Sequence, residues 1–136
     1  MPTASESPFT SRLRVRDAMD RLTPDVHGDG VRHADVIIEA IFENLEVKQK
    51  LFTDVEARAK PGAILATNTS SLKLADIART MKNPARLVGL HFFNPVPLMK
   101  LVEVVRALTT SEETYQALFA FSQAIGKDPI TAPDKP

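Results

Sequence analysis

Cysteine is absent from the 136-residue chain, which removes disulfides, Cys-ligated zinc, iron–sulfur clusters and thiol catalysis together. Net charge is absent as well. The 17 basic residues balance 17 acidic ones, and a nucleic acid or anionic membrane held by bulk charge would reward a clear basic excess. No apolar run approaches the roughly 18–20 residues of a membrane helix. The start, Met1-Pro-Thr-Ala-Ser-Glu-Ser-Pro8, has neither the basic nor the apolar stretch of a secretory signal. It also lacks arginine and carries Glu6, unlike a transit peptide, so the cytoplasm is the expected location. Glycine is scarce, with five in the chain, and only Gly28 and Gly30 stand close together. They follow a proline turn, lead into a strand pattern and lack a third glycine at the right offset, so they read as a connecting turn and not a phosphate cradle. No Gly-x-Ser-x-Gly elbow of the serine hydrolases occurs. The histidines are scattered, with no acidic pair beside one, so no metal site is expected.

What is present is a globular composition, 43% hydrophobic and 25% charged, at the length of one domain. Residues 1–10 are rich in Ser, Thr and Pro and read as a flexible arm. Val15, Ala18, Met19 and Leu22 then mark one face of a short helix that stops at Thr23-Pro24. Ala34 to Ile41 carries a β-branched core of strand length. Asn44 can cap a following helix whose Val47, Leu51, Val55 and Ala59 recur every four residues. Ala63–Thr67 is a second strand, and Leu74, Ile77, Ala78 and Met81 form the apolar face of a third helix. Leu87–Leu90 and Leu101–Val105 are further strands. A capping box at Thr110-Ser-Glu-Glu113 opens a helix bearing Tyr115, Leu118, Phe119 and Ser122, and Pro129–Ala132 is a last short strand. Strands alternating with helices mean βαβ units and a mainly parallel α/β sheet.

Ligands bind such sheets beyond the carboxyl ends of the strands. Four such places follow: Glu43-Asn44, Asn68-Thr-Ser-Ser71, His91-Phe-Phe-Asn94, and the strand carrying Glu103. His91 is an acid–base candidate, because imidazole titrates near neutrality; the alternative is a histidine packed on Phe92 and Phe93 with its nitrogens on backbone carbonyls. Glu103 interrupts an apolar strand, where a buried carboxylate needs a partner, unless it turns to solvent. Glu39 has the same ambiguity. The Asn68–Ser71 cluster is a ligand loop or a helix cap. His27 and His33 read as solvated.

These residues carry a resemblance. Ala34-Asp-Val-Ile-Ile-Glu-Ala-Ile-Phe-Glu-Asn-Leu-Glu-Val-Lys48, Ala66-Thr-Asn-Thr-Ser-Ser-Leu72 and the His-Phe-Phe-Asn-Pro block with Leu-Val-Glu-Val104 closely resemble the NAD-dependent L-3-hydroxyacyl-CoA dehydrogenases. The likeness runs from about Ser11 to Pro136. It implies a Rossmann-like, doubly wound sheet, NAD as cofactor and an acyl-CoA as substrate, in fatty-acid breakdown or hydroxybutyrate metabolism. By motif position His91 matches the catalytic base, Glu103 the acid that orients it, and Ser70 the serine on the substrate oxygen near the nicotinamide. Glu43, Lys48 and Asn94 match positions at the ribose and nicotinamide end of NAD. The family's glycine-rich first βαβ segment has no counterpart before Ser11, and the chain stops at Asp134-Lys-Pro136 where the family runs on into a catalytic asparagine and a helical domain. Residues 11–136 are thus expected to be a partial NAD-binding domain that forms a homo-oligomer or needs the missing pieces. Two other readings remain beside this one: a non-catalytic module of the same fold, and a sugar-acid or hydroxy-acid dehydrogenase of the same superfamily.

Overall fold

The computed structural model describes residues 7–135, so most of the expected arm lies outside the described residues. The rest of it is helical. Helix α1 (Pro8–Asp20) starts at a proline, and the Ser7 side chain caps it by accepting from the Thr10 amide at 3.1 Å. Hydrophobic periodicity missed this start because the first turn is held by a cap and not by packing. The expected apolar face of α1 is not packed either: Val15, Met19 and Leu22 are 64%, 60% and 67% exposed. The helix ends at Asp20, short of the Thr23-Pro24 stop.

The core is a sheet of five strands in the order β1-β2-β3-β4-β5. They are β1 (Val36–Glu39), β2 (Ile64–Thr67), β3 (Leu87–Phe92), β4 (Leu101–Arg106) and β5 (Asp128–Pro133). Strands β1, β2 and β3 are parallel, β4 runs antiparallel to β3, and β5 is parallel to β4. Helices α2 (Leu45–Arg58) and α3 (Leu74–Ala78) make the crossovers among the first three strands, and α4 (Glu112–Ala124) joins β4 to β5.

Period-two alternation divides the sheet's side chains between two cores. Leu65 and Leu87 pack with Phe52 and Val55 of α2 and with Leu74, Ile77, Ala78 and Met81 around α3. Ala66, Val88, Leu90, Val102 and Val104 pack on the other face with Leu118 of α4. Helices cover both faces, so the fold is Rossmann-like and doubly wound. Asn44 caps α2 as expected, accepting from the Val47 amide at 3.0 Å. The buried stripe of α2 is Lys48, Phe52 and Val55; it shares Val55 with the four-residue series in the sequence, while Leu51 and Ala59 of that series are partly buried against the same core. Helix α4 is capped by Ser111; Thr110 instead donates to the Leu87 carbonyl at 2.8 Å and accepts from the Ala107 amide.

Gly89 is required by close approach. A Cβ there would lie 2.6 Å from Cβ of Val105, its partner across the β3–β4 ladder. Without that carbon, β3 and β4 close together two residues before His91.

Candidate active site

The antiparallel pairing of β3 and β4 places His91 directly opposite Glu103. Opposed residues on antiparallel strands share a face, and here it is the α3 face that also carries Gly89 and Val105. Reversing β4 corrects the expectation that Glu103 sits by the carboxyl end of a parallel strand: the amino-terminal half of β4 lies beside the carboxyl end of β3. His91 Nδ1 is 3.3 Å from Glu103 Oε1, with side chains 24% and 30% exposed. A carboxylate at Nδ1 holds the proton on that nitrogen in the neutral ring and leaves Nε2 as the free acceptor. The His91 ring packs against Phe93 at 4.7 Å between centroids. Contact with a phenylalanine and a carboxylate partner for the imidazole thus both hold.

His91, Glu103 and Ser70 line one cavity of about 340 Å³, with Leu72, Leu74 and Val105 as its apolar wall and Ala132 and Pro133 of β5 at its rim. A larger open cleft of about 410 Å³, between Glu46, Lys50, Thr53 and Thr80 on the outer side of α2, contains none of these groups.

Beside the cavity lies an ionic network. Lys48 is 1% exposed and its ammonium sits 2.7 Å from both Glu39 Oε2 and Glu43 Oε1. Glu39, the last residue of β1, has a fully buried side chain, so the solvent-facing alternative for it is excluded. Glu43 Oε2 accepts from the Thr69 hydroxyl at 2.6 Å, the Ser71 hydroxyl at 2.5 Å and the Ser71 amide at 3.3 Å. Partial burial raises the Glu43 carboxyl, but the hydrogen bonds from Lys48, Ser71 and Thr69 and the charge of Lys48 outweigh it, and the group is held down at about 2. The Asn68–Ser71 cluster is therefore not the cap of α3, and Ser70 is left exposed between two residues clamped by one carboxylate.

Sequence reasoning missed two anchors. The Asn68 side chain accepts from the Phe92 amide at 3.1 Å and ties the end of β2 to the end of β3. The Asp134 carboxylate takes the Leu74 amide at 2.7 Å and the Ala75 amide at 3.0 Å, capping α3 from the far end of the chain. No local signal links Asp134 to α3; the Asn68 bond follows only once β2 and β3 are known to be neighbours. Asn94 is exposed in the β3–β4 connection and is not among the cavity residues. That connection is held by Lys127, which donates to the Val96 and Met99 carbonyls at 2.6 and 2.8 Å. His27 and His33 are exposed. Among the described residues no cluster of three potential ligands is arranged to hold a metal, and no helix is long and apolar enough to cross a membrane.

A mainly parallel sheet with polar groups gathered where β1, β2 and β3 end, beside a histidine–carboxylate pair, has the layout of a nucleotide-dependent oxidoreductase. Residues 3–135 match the family model for the NAD-binding domain of 3-hydroxyacyl-CoA dehydrogenase, and the chain belongs to that family. It is 47% identical over 123 residues to a probable 3-hydroxyacyl-CoA dehydrogenase of Caenorhabditis elegans, covering 90% of this chain and 40% of that protein. Against the fatty acid oxidation complex subunit alpha of Vibrio campbellii the identity is 45% over 125 residues, 92% of this chain and 18% of that one. The crystal structure of (S)-3-hydroxybutyryl-CoA dehydrogenase from Ralstonia eutropha superposes with a TM-score of 0.80 at 34% identity, covering 93% of this chain and 49% of that one. The chain thus spans less than half the length of these three proteins.

The cofactor of this domain is NAD, and the residues present fit one half of it. Glu43 and the exposed Ser70 offer polar groups at the strand ends, where such sheets take a ribose and nicotinamide. Gly28 and Gly30 offer nothing to a pyrophosphate. They precede β1, at its amino end. The amides of Gly28, Asp29 and Gly30 are all taken by Asp25, and Arg58 holds the His27 and Gly28 carbonyls. The Gly30 and Asp29 amides keep the Asp25 carboxyl below its ordinary range.

Proposed function

We propose that these residues form the nicotinamide-side half of an L-3-hydroxyacyl-CoA dehydrogenase, which oxidises the 3-hydroxyl of an acyl-CoA to a ketone in fatty-acid oxidation or 3-hydroxybutyryl-CoA metabolism. The observation that carries this reading is the convergence of His91, Glu103 and Ser70 on one cavity, in a chain of this family. NAD, when bound, supplies the acceptor for the hydride leaving C3. His91 takes the hydroxyl proton at Nε2, the nitrogen not engaged by Glu103. Glu103 accepts from Nδ1–H, keeps the ring turned to the cavity and stabilises the imidazolium that forms. Ser70 donates to the substrate oxygen and stabilises the negative charge that gathers there as the proton leaves, before loss of hydride from C3 makes the ketone. Glu43, with 38% of its side chain exposed, and Asn94 contact the ribose and nicotinamide end of the cofactor. Lys48 acts on the cofactor through Glu43, because its own ammonium faces the two carboxylates.

The test is an assay of the native gene product, at the length the cell makes it, with acetoacetyl-CoA and NADH. NADH consumption with the CoA thioester, lost in His91→Gln, is the expected result. Consumption with a free keto acid but not the thioester would place the protein with the sugar-acid and hydroxy-acid dehydrogenases. NADH binding with no turnover of either would make it a non-catalytic module.

A further inference from the structure

The buried carboxylate of Glu39 has no part in the reaction just described. It ends β1 with its side chain fully shielded from solvent, a position where a charge is costly unless every lone pair has a partner. Three donors converge on it. Lys48 Nζ and the Ile41 amide reach Oε2 at 2.7 and 2.8 Å, and the Thr67 hydroxyl reaches Oε1 at 2.6 Å. Two arms lead from Glu39 to the same turn. One runs through Lys48 to Glu43, and from Glu43 to the hydroxyls of Thr69 and Ser71. The other runs through Thr67, its register partner on β2, whose hydroxyl oxygen accepts from the Thr69 amide at 3.2 Å. Ser70 is the residue between the two clamped neighbours.

We propose that Glu39 is a positioning residue for Ser70. By fixing Lys48 and Thr67 together it sets the 69–71 turn, and with it the direction in which the Ser70 hydroxyl enters the cavity. It touches neither substrate nor cofactor. The inference rests on the role given to Ser70 above. All three partners of Glu39 are donors, so a carboxylate with two accepting oxygens satisfies them, whereas a glutamine turns an NH₂ group toward one of them. Aspartate keeps the charge beside Lys48 but withdraws both oxygens by one methylene.

The experiment is residue-resolved amide hydrogen exchange on the native protein and on Glu39→Gln and Glu39→Asp. The reporters are the Thr69, Ser71 and Leu72 amides, each of which donates to a side-chain oxygen within this network. In both variants these amides are expected to exchange about tenfold or more faster relative to Leu65 and Val88 in the sheet, as an unsatisfied charged hydrogen bond implies. If Glu39→Gln does not fold, Glu39→Asp decides. Native-like exchange of the turn in either folded variant overturns the proposal, since the turn would then hold its place without the full set of bonds to Glu39. Acceleration shared equally by Leu65 and Val88 overturns it too, because that marks a purely structural residue. The readout does not depend on turnover, so a wild-type protein that fails to reduce acetoacetyl-CoA sinks the dehydrogenase reading and leaves this measurement intact.

Discussion

Substituting His91 removes a proton acceptor without disturbing a core, because its ring is part-exposed at the cavity wall. His91→Gln is expected to lower kcat for 3-hydroxyacyl-CoA oxidation by about 10²–10⁴-fold, the usual contribution of a general base, with the melting temperature unchanged. Steady-state kinetics and a thermal melt check the two halves of that statement. Glu43 gives a pH prediction. Its carboxyl is held at about 2 in the folded chain against an ordinary value of 4.5. A depressed carboxyl contributes stability that is complete above the unfolded value and is lost as pH falls through the folded one. The melting temperature of the wild type should therefore fall with acid between about 4.5 and 2, and the slope in that window should be shallower in Glu43→Gln. Equal slopes would mean that ionised Glu43, with its bonds from Lys48, Ser71 and Thr69, contributes nothing to folding.

At the scale of elements, Gly89→Ala tests the close approach of β3 and β4. The added carbon meets Val105 Cβ at 2.6 Å, and overpacking of this kind costs about 1–3 kcal/mol. Denaturant unfolding should show that loss, and the double variant with Val105→Ala should recover little of it, because alanine keeps the Cβ that the new carbon meets. Much at this scale was legible in the sequence. The five strands and the buried set Leu74, Ile77, Ala78 and Met81 follow from hydrophobic period, and the Asn44 cap from residue type. Period fails where a cap or a distant contact decides. Helix α1 starts at Pro8 because the Ser7 side chain caps it, and its apolar stripe finds no core. The direction of β4 cannot be read from its own residues, since Leu101-Val-Glu-Val-Val105 alternates identically in either orientation. Lys48 sits on the buried stripe of α2, where a hydrophobicity count leaves it out and only Glu39 and Glu43 explain it. Motif named His91, Glu103 and Ser70 as candidates, and all three line one cavity; the network behind Ser70 was not legible, because its partners come from separate elements.

The molecule as a whole leaves both sheet edges open among its described residues: β1 and β5 each have one neighbour. Ile38 on β1 is 40% exposed and Phe42 just beyond it 68%. An unpaired edge with apolar side chains recruits other strands. Sedimentation velocity over a range of concentrations should therefore show self-association, and Ile38→Lys, which sets a charge on that edge, should reduce it. A single concentration-independent monomer boundary for the wild type would count against an available edge.

The Asp134 cap gives the site a position in time. Ser70, His91 and Glu103 all leave the ribosome before β5 does, and α3 beside them is only five residues long, too short to persist without outside support. Its first amides are claimed by a carboxylate 60 residues further on. Strands β1 to β4 and the α2 side chains that pack on α3 all precede residue 134 in the chain, so the side-chain cap on the first two amides of α3 is the last of its supports to be made. A nascent chain stalled short of that point would carry His91 and its strand partner Glu103 in its sequence but lack the cap on α3.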